Sequence, residues 1–289
     1  MTSSAETFQL SIEAAEAYEA GFVPALFADW APALVDAAGV RPGQRVLDIA
    51  CGTGVVTREA ADRLRGEGRG VGLDLNEAML VVARRVRPDI EWVQADAAAL
   101  PFDDEAFDVV LCQAALMFFP DPALALREMA RVVAPNGTVA VQVWASRESQ
   151  TGFRPFYEVV ARHAGPDAVD LLSAYWRLGD LDALTGLFTA AGLEVSATRT
   201  RTGAIRVPTI EGYVTTEIES TPLVDRIDDD VYRRIRADAG IALRPMYAES
   251  GGLQMPIVGH VLTAARVGIS QTDAPGLPRP VRAFWRKST

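Results

Sequence analysis

The stretch Arg45-Val46-Leu47-Asp48-Ile49-Ala50-Cys51-Gly52-Thr53-Gly54 constrains the fold more than any other part of the chain. An apolar run ends in an acid, passes through small residues and two glycines, and enters a helical pattern at Val55-Val56-Thr57-Arg58. The pattern predicts a buried strand, a tight turn and a helix N-terminus, the arrangement in which α/β folds hold a nucleotide.

Strand and helix signals alternate on either side of it. Residues from about Leu10 to Ala38 read as helix, with Leu26, Phe27, Trp30, Leu34, Val35 and Ala38 at helical spacing and Gly39 as C-cap. After the first strand (Arg45 to Ala50) and a helix from Val55 to about Arg65 come a strand Val71 to Leu73 ending at Asp74, and a helix from Asn76 to about Val86. Further strands are predicted at Ile90 to Gln94, Phe107 to Cys112 and Thr138 to Trp144, the last entered through Pro135-Asn136-Gly137. Asp121-Pro122 opens another helix as cap and first residue. Leu181 to Ala191 reads as helix, Leu193 to about Thr198 as a sixth strand and Met255 to Ala265 as a last one. A Rossmann-like, doubly wound α/β sheet of seven strands follows, mostly parallel with an antiparallel last strand. Residues 146–180 and 208–250, aromatic-rich or irregularly helical, are expected to cap the strand ends. Residues 1–40 are expected to form a helical lid, 41–145 the ligand-binding core, and 251–289 the last strand and an extended tail.

Composition excludes several function classes. The 289 residues are 49% apolar, enough for one large core. No run of about 18 apolar residues occurs, and no basic segment precedes an apolar one at the N-terminus, so no membrane span or secretory signal is expected and the location reads as cytoplasmic. A formal charge of -10 opposes a nucleic-acid backbone as principal partner. Cys51 and Cys112 are expected as buried free thiols, and neither has metal-site spacing, so no metal is expected.

Three features bear on which nucleotide is bound. The third position of a dinucleotide G-x-G-x-x-G fingerprint is Thr57, leaving only G-x-G. Asp48, just before the turn, is unfavourable for a pyrophosphate but favourable, directly or through the turn, for a cationic ligand. Asp74, about 20 residues beyond the turn, stands where an acid accepts hydrogen bonds from ribose hydroxyls. S-adenosylmethionine, with its ammonium and sulfonium, suits all three. No G-x-x-x-x-G-K-[ST] loop is present.

Four segments in order then resemble the class I S-adenosylmethionine-dependent methyltransferases, in their ubiquinone/menaquinone-biosynthesis-like small-molecule branch. They are VLDIACGTG (Val46 to Gly54), VGLDLNEAML (Val71 to Leu80), ADAAALPFDDEAFDVVLC (Ala95 to Cys112) and LREMARVVAPNGTVAVQVW (Leu126 to Trp144). Where the family has Pro-Gly-Gly this chain has Pro135-Asn136-Gly137, and asparagine tolerates positive φ. The resemblance implies that Ala50, Cys51, Gly52, Thr53 and Gly54 line the methionine part of the cofactor, with Asp48 supporting the turn. It implies that Asp74 holds the ribose, Leu75 and Met79 pack on the adenine, and Asp96 and Ala97 receive its polar edge. Gln113 would lie near the methionine carboxylate or the transferring methyl, and Tyr18, with Trp30 as an alternative core residue, would fold over the pocket.

For the acceptor, Met117 and Phe118 after the fourth strand, Trp144, and the aromatics Phe156, Tyr175 and Trp176 are the pocket candidates, and they favour a small hydrophobic or aromatic molecule. The atom methylated, O, N or C, stays open. A general base is needed only for an acceptor that must lose a proton, and His163 is a weak candidate for one. S-adenosylhomocysteine would be the product, and a monomer or homodimer the assembly. The alternatives are an NAD-dependent oxidoreductase, a nucleic-acid methyltransferase, and a non-catalytic cofactor-binding protein.

Overall fold

The computed structural model describes residues 10–219, 221, 223–249 and 251–266. The expected tail from Gln271 lies outside the described residues.

Seven strands form one sheet in the order β3-β2-β1-β4-β5-β7-β6. They are β1 (Arg45–Ile49), β2 (Arg69–Asp74), β3 (Glu91–Gln94), β4 (Phe107–Gln113), β5 (Val133–Trp144), β6 (Leu193–Val207) and β7 (Leu253–Arg266). The first five pair in parallel, and β7 runs antiparallel between β5 and β6, as the sequence predicts. The strand order reverses between β1 and β4, which makes the carboxyl ends of these two strands the switch point of the sheet.

The helices are α1 (Ile12–Ala17), α2 (Val23–Ala25), α3 (Ala31–Ala38), α4 (Val55–Leu64), α5 (Glu77–Val86), α6 (Pro122–Val132), α7 (Arg154–Ala164), α8 (Pro166–Leu171), α9 (Leu181–Ala190), α10 (Ile210–Glu219) and α11 (Asp229–Ala242). Their caps are those the sequence announces. Asn76 accepts from the Ala78 N–H at 2.9 Å, Asp121 from that of Leu124 at 2.9 Å, and Asp228 from that of Val231 at 2.8 Å.

Three boundaries differ from expectation. The single helix expected over Leu10 to Ala38 is broken into α1, a π turn, α2 and α3, because Pro24 and Pro32 each start a new helix. Strand β5 begins at Val133 rather than Thr138, passing through Asn136 at φ 64 with a register shift against β4. Strand β6 runs to Val207 rather than about Thr198, paired along its length with β7.

One apolar cluster covers a face of the sheet from Leu47 and Val110 to Leu262 and reaches into α7, α10 and α11 through Phe156, Ile218 and Ile235, while Val46, Val109, Leu111, Ala140 and Val261 pack with Leu34 of α3 and Val56 of α4 on the other face. Residues 146–180 and 208–250 therefore share that core; α7 packs on α8 and α11, and residues 116–118 after β4 meet 174–176. No helix among the described residues is long and apolar enough to cross a membrane.

Candidate active site

At the carboxyl end of β1 the backbone turns through Ala50 at φ 54, Gly52 at φ 55 and Gly54 at φ 90, all left-handed. Ala114, just past the end of the neighbouring β4, is also left-handed, at φ 52. Non-glycine residues held in this region cost stability and cluster at sites where chemistry fixes the backbone.

Asp74 organises the turn. Its Oδ2 accepts from the Gly52 N–H at 2.8 Å and its Oδ1 from the Asn76 N–H at 2.9 Å, so one carboxylate bridges the ends of β1 and β2. Burial raises its pKa, and those backbone N–H groups pull the other way. Asp48, 1% exposed, lies behind the turn and accepts from Thr57 Oγ1 at 2.6 Å. The threonine in the third glycine position thus ties β1 to α4.

The two glycines of the turn serve different ends. A Cβ on Gly52 would come into ordinary contact with the Tyr18 ring, at 3.7 Å, so the ring covers the backbone on that side. A Cβ on Gly54 would collide with the Trp92 indole, which also presses on Gly72 and is fixed by Nε1 donating to the Arg87 carbonyl at 2.9 Å. Gly54 is therefore a packing glycine. The Cys51 side chain packs with Leu80, Ala83, Ile90 and Trp92, and its backbone N–H bonds the Leu73 carbonyl at 2.9 Å.

The N-terminal segment lies over this turn. Tyr18 stacks on Phe22 and Phe27 with centroids 5.9 and 5.4 Å apart, and burial pushes its phenol pKa up. Next to it, Glu19 accepts from Thr53 Oγ1 at 2.5 Å and pairs with Arg58 at 3.0 Å. Sequence reasoning placed Tyr18 here but missed Glu19 and Arg58, which carry no signal beyond a charge on each helix.

Past the end of β2, Leu75 is 40% exposed, an apolar surface left bare beside Asp74. Met79 packs with Ala15 and Val82 and joins α5 to α1. Asp96 is exposed and its Oδ1 accepts from the Ala98 N–H at 2.8 Å; Ala97 is buried in the core.

Gln113 ends β4, and its Nε2 donates to the Phe27 carbonyl at 3.1 Å, which fixes the amide orientation. Its Oε1 is sealed from solvent without a hydrogen-bond partner, as are both amide atoms of Gln142 and Nε1 of Trp30. Gln113 and Gln142 are register partners, so their side chains share a sheet face. Trp30 and Gln142 Nε2 both lie against Gly259. Orphaned buried polar atoms are costly in a protein interior, and of these four the Gln113 Oε1 belongs to the end of β4, at the switch point, whereas Trp30 Nε1 lies against Gly203 of β6.

The acceptor candidates divide. Met117, Trp144 and Phe156 are core residues, Trp144 set edge-on to Trp30 with centroids 5.1 Å apart. Phe118 meets Tyr175 edge-on at 5.5 Å, and Tyr175 lies 6.0 Å from Trp176, so these three form one aromatic cluster. His163 Nε2 lies 2.8 Å from Asp238 on α11, an arrangement that accounts for it within the cap. His260 Nδ1 lies 2.9 Å from Thr200 Oγ1.

The buried Asp48 carries a pH signature. Burial pushes its carboxyl pKa up to about 7, against an ordinary value near 3.8. Between those values the folded chain holds a proton that the unfolded chain has lost, so this group lowers stability as pH rises, and its effect levels off above about 7. Asp48→Asn is expected to remove that contribution, making the stability difference between variant and parent change by about 1 kcal/mol per pH unit from roughly pH 4 to 7. Denaturant titrations across this range check it; parallel pH curves for the two proteins would refute it.

A glycine turn at the switch point of this sheet, closed by an acid at the next strand end, defines a Rossmann-like cofactor-binding enzyme. Residues 47–141 match the model of a methyltransferase domain. The chain is 36% identical over 194 residues to the ubiquinone/menaquinone biosynthesis C-methyltransferase UbiE of Idiomarina loihiensis, covering 61% of this chain and 76% of the relative. It is 41% identical over 134 residues to the demethylmenaquinone methyltransferase of Renibacterium salmoninarum, spanning 46% of this chain and only 54% of that relative. The chain belongs to the UbiE-type family of class I S-adenosylmethionine-dependent methyltransferases. Among solved structures, the Haemonchus contortus phosphoethanolamine N-methyltransferase 2 in complex with S-adenosyl-L-methionine aligns with TM-score 0.56 at 19% identity, over 90% of this chain and 58% of that one. YcgJ of Bacillus subtilis aligns with TM-score 0.55 at 19% identity, over 82% and 98%. Both likenesses are of fold.

Proposed function

We propose that this methyltransferase acts on a small apolar or aromatic molecule, holding S-adenosylmethionine across the ends of β1, β2 and β4. The observation that carries this reading is what that edge leaves unused beside the turn that Asp74 holds: the bare Leu75 surface and the orphaned Gln113 Oε1. They fit the groups of this cofactor.

Each Asp74 oxygen already accepts one backbone N–H and retains lone-pair capacity for a ribose hydroxyl. Leu75, with Met79 behind it, offers an apolar platform to the adenine, and Asp96 keeps an oxygen for the exocyclic amine beside the Ala97 backbone. Ala50, Cys51, Gly52, Thr53 and Gly54 present backbone to the methionine portion. Because the Phe27 carbonyl holds Gln113 Nε2, the free end of that amide is an acceptor, which suits the cationic methyl centre or the ammonium of the methionine part better than its carboxylate. When bound, S-adenosylmethionine supplies an electrophilic methyl group on a sulfonium.

The chain's own part is alignment and exclusion of water. Tyr18 and the Glu19–Arg58 pair close residues 10–40 over the turn, the 41–145 core positions the cofactor, and the described residues of 146–180 and 208–250 cover the acceptor beside Phe118, Tyr175 and Trp176. Neither histidine is assigned a role as base.

Incubating the protein and isotopically labelled S-adenosylmethionine with a metabolite extract tests the reading. Mass spectrometry is expected to find label in a low-mass, organic-soluble product. Label confined to RNA or DNA, or no binding of S-adenosylhomocysteine by calorimetry, would overturn it.

A further inference from the structure

Tyr213 and Glu217 stand one turn apart on α10, so their side chains share a face of that helix. Tyr213 is 2% exposed, and its Oη has no hydrogen-bond partner. Glu217 is partly exposed, yet its Oε2 is sealed from solvent and equally without a partner. Such atoms are seldom left unpaired in a folded protein unless something not part of the chain completes them.

Their surroundings are aromatic. The Tyr213 ring lies edge-on to Phe153 and Phe156, with centroids 6.2 and 5.4 Å apart. The neighbouring Tyr157 is satisfied, accepting from Trp176 Nε1 at 2.9 Å, which leaves Tyr213 as the phenol of this group still in want of a bond. Through Trp176 and Tyr175 the rings run back to Phe118, on the loop that leaves β4 five residues beyond Gln113. Burial alone pushes the Glu217 carboxyl up to about 7, and burial, with the Glu217 charge after it, raises the pKa of Tyr157 and Tyr213. A carboxyl group with no cation paired to it, at the far end of a run of rings that starts on the loop after β4, is suited to grip a polar group on an otherwise apolar molecule.

We propose that Tyr213 and Glu217 are the polar anchor for the methyl acceptor, and that the group they hold is a hydroxyl on an apolar ring system. A hydroxyl donates to Glu217 Oε2 and accepts from Tyr213 Oη, completing both with one group. An ammonium offers no acceptor for the Tyr213 proton, and a carboxylate would be repelled by Glu217. The anchor fixes which acceptors enter and how they lie; it is a positioning and specificity element, with no proton transfer assigned to it. This deepens the methyltransferase reading and rests on it.

The test uses the full chain with S-adenosylhomocysteine bound, and two probes that differ by a capped hydroxyl, 2-naphthol and 2-methoxynaphthalene. Tryptophan fluorescence titration is expected to give at least about tenfold tighter binding of the naphthol. Glu217→Leu and Tyr213→Phe are each expected to bring that ratio toward unity, while affinity for S-adenosylhomocysteine stays within about twofold of the parent. Glu217→Gln, which keeps an acceptor oxygen, is expected to retain part of the preference. Should Glu217→Leu fail to fold, Tyr213→Phe, which removes only a hydroxyl, reads the same ratio. Equal binding of the two probes by the parent, binding of neither, or an undiminished ratio in Tyr213→Phe and the Glu217 variants would overturn the anchor. The last result would mean that Tyr213 and Glu217 take no part in holding the hydroxyl. If S-adenosylhomocysteine binds and the hydroxyl preference is absent, the anchor fails and the methyltransferase reading stands. A hydroxyl preference in a protein that binds no S-adenosylhomocysteine would instead overturn the methyltransferase reading, and with it the anchor's role in methyl transfer.

Discussion

Asp74→Ala is expected to weaken S-adenosylhomocysteine binding by at least about 100-fold, which is close to 2.7 kcal/mol. Two losses combine. The Gly52 and Asn76 N–H groups each lose their acceptor, so the turn after β1 is no longer held in its left-handed shape. The proposed partner of the ribose hydroxyls disappears with it, and a hydrogen bond to a charged group contributes about 1.5–3 kcal/mol. Asp74→Asn should fall between, because an amide accepts through one oxygen and turns a donor toward the second N–H. Calorimetry on purified variants reads both. Unchanged affinity in Asp74→Ala would remove the carboxylate from the site.

Gly54→Ala is expected to destabilise the fold by about 3 kcal/mol, seen as a melting temperature lower by about 5–10 °C. The position combines φ 90 with an indole occupying the space a methyl group would need. Trp92 has no easy way to move, since its Nε1 is bonded to the Arg87 carbonyl and its ring also presses on Gly72. Trimming the ring with Trp92→Leu in the Gly54→Ala background should recover the steric part of the loss and leave the backbone part. A Gly54→Ala protein with the parent's melting temperature would show that the indole relaxes at little cost.

What the sequence makes legible here is whatever is local. Asn76, Asp121 and Asp228 declare the starts of three helices because a capping side chain bonds its own next turn. The parallel strands β1, β2 and β4 declare themselves as apolar runs, since they are covered on both faces. Strand β6 hides its length because Ala197 to Arg199 and Thr200 are solvent-facing and carry no alternation; only pairing with β7 makes them a strand. The same limit governs the site. Asp74 is readable from its spacing to the glycine turn, whereas Glu19, Thr53 and Arg58 meet across 34 and 39 positions of chain. Trp92 reads from sequence as an ordinary core residue, yet its ring is what forbids a side chain at Gly54 and Gly72. Glu217 is hidden for a similar reason: one acid in a mixed helix says nothing until the rings of α7 close around it.

The contact between Tyr18 and Gly52 has a kinetic corollary. The phenol ring stands 3.7 Å from where a Gly52 side chain would begin, and Glu19 fastens the same segment to Thr53 and Arg58. Anything that comes to lie along that backbone shares a doorway with the ring, so arrival and departure both wait on the segment swinging aside. Loosening the Glu19–Arg58 pair is therefore expected to speed the release of spent cofactor, and with it any turnover that such release limits.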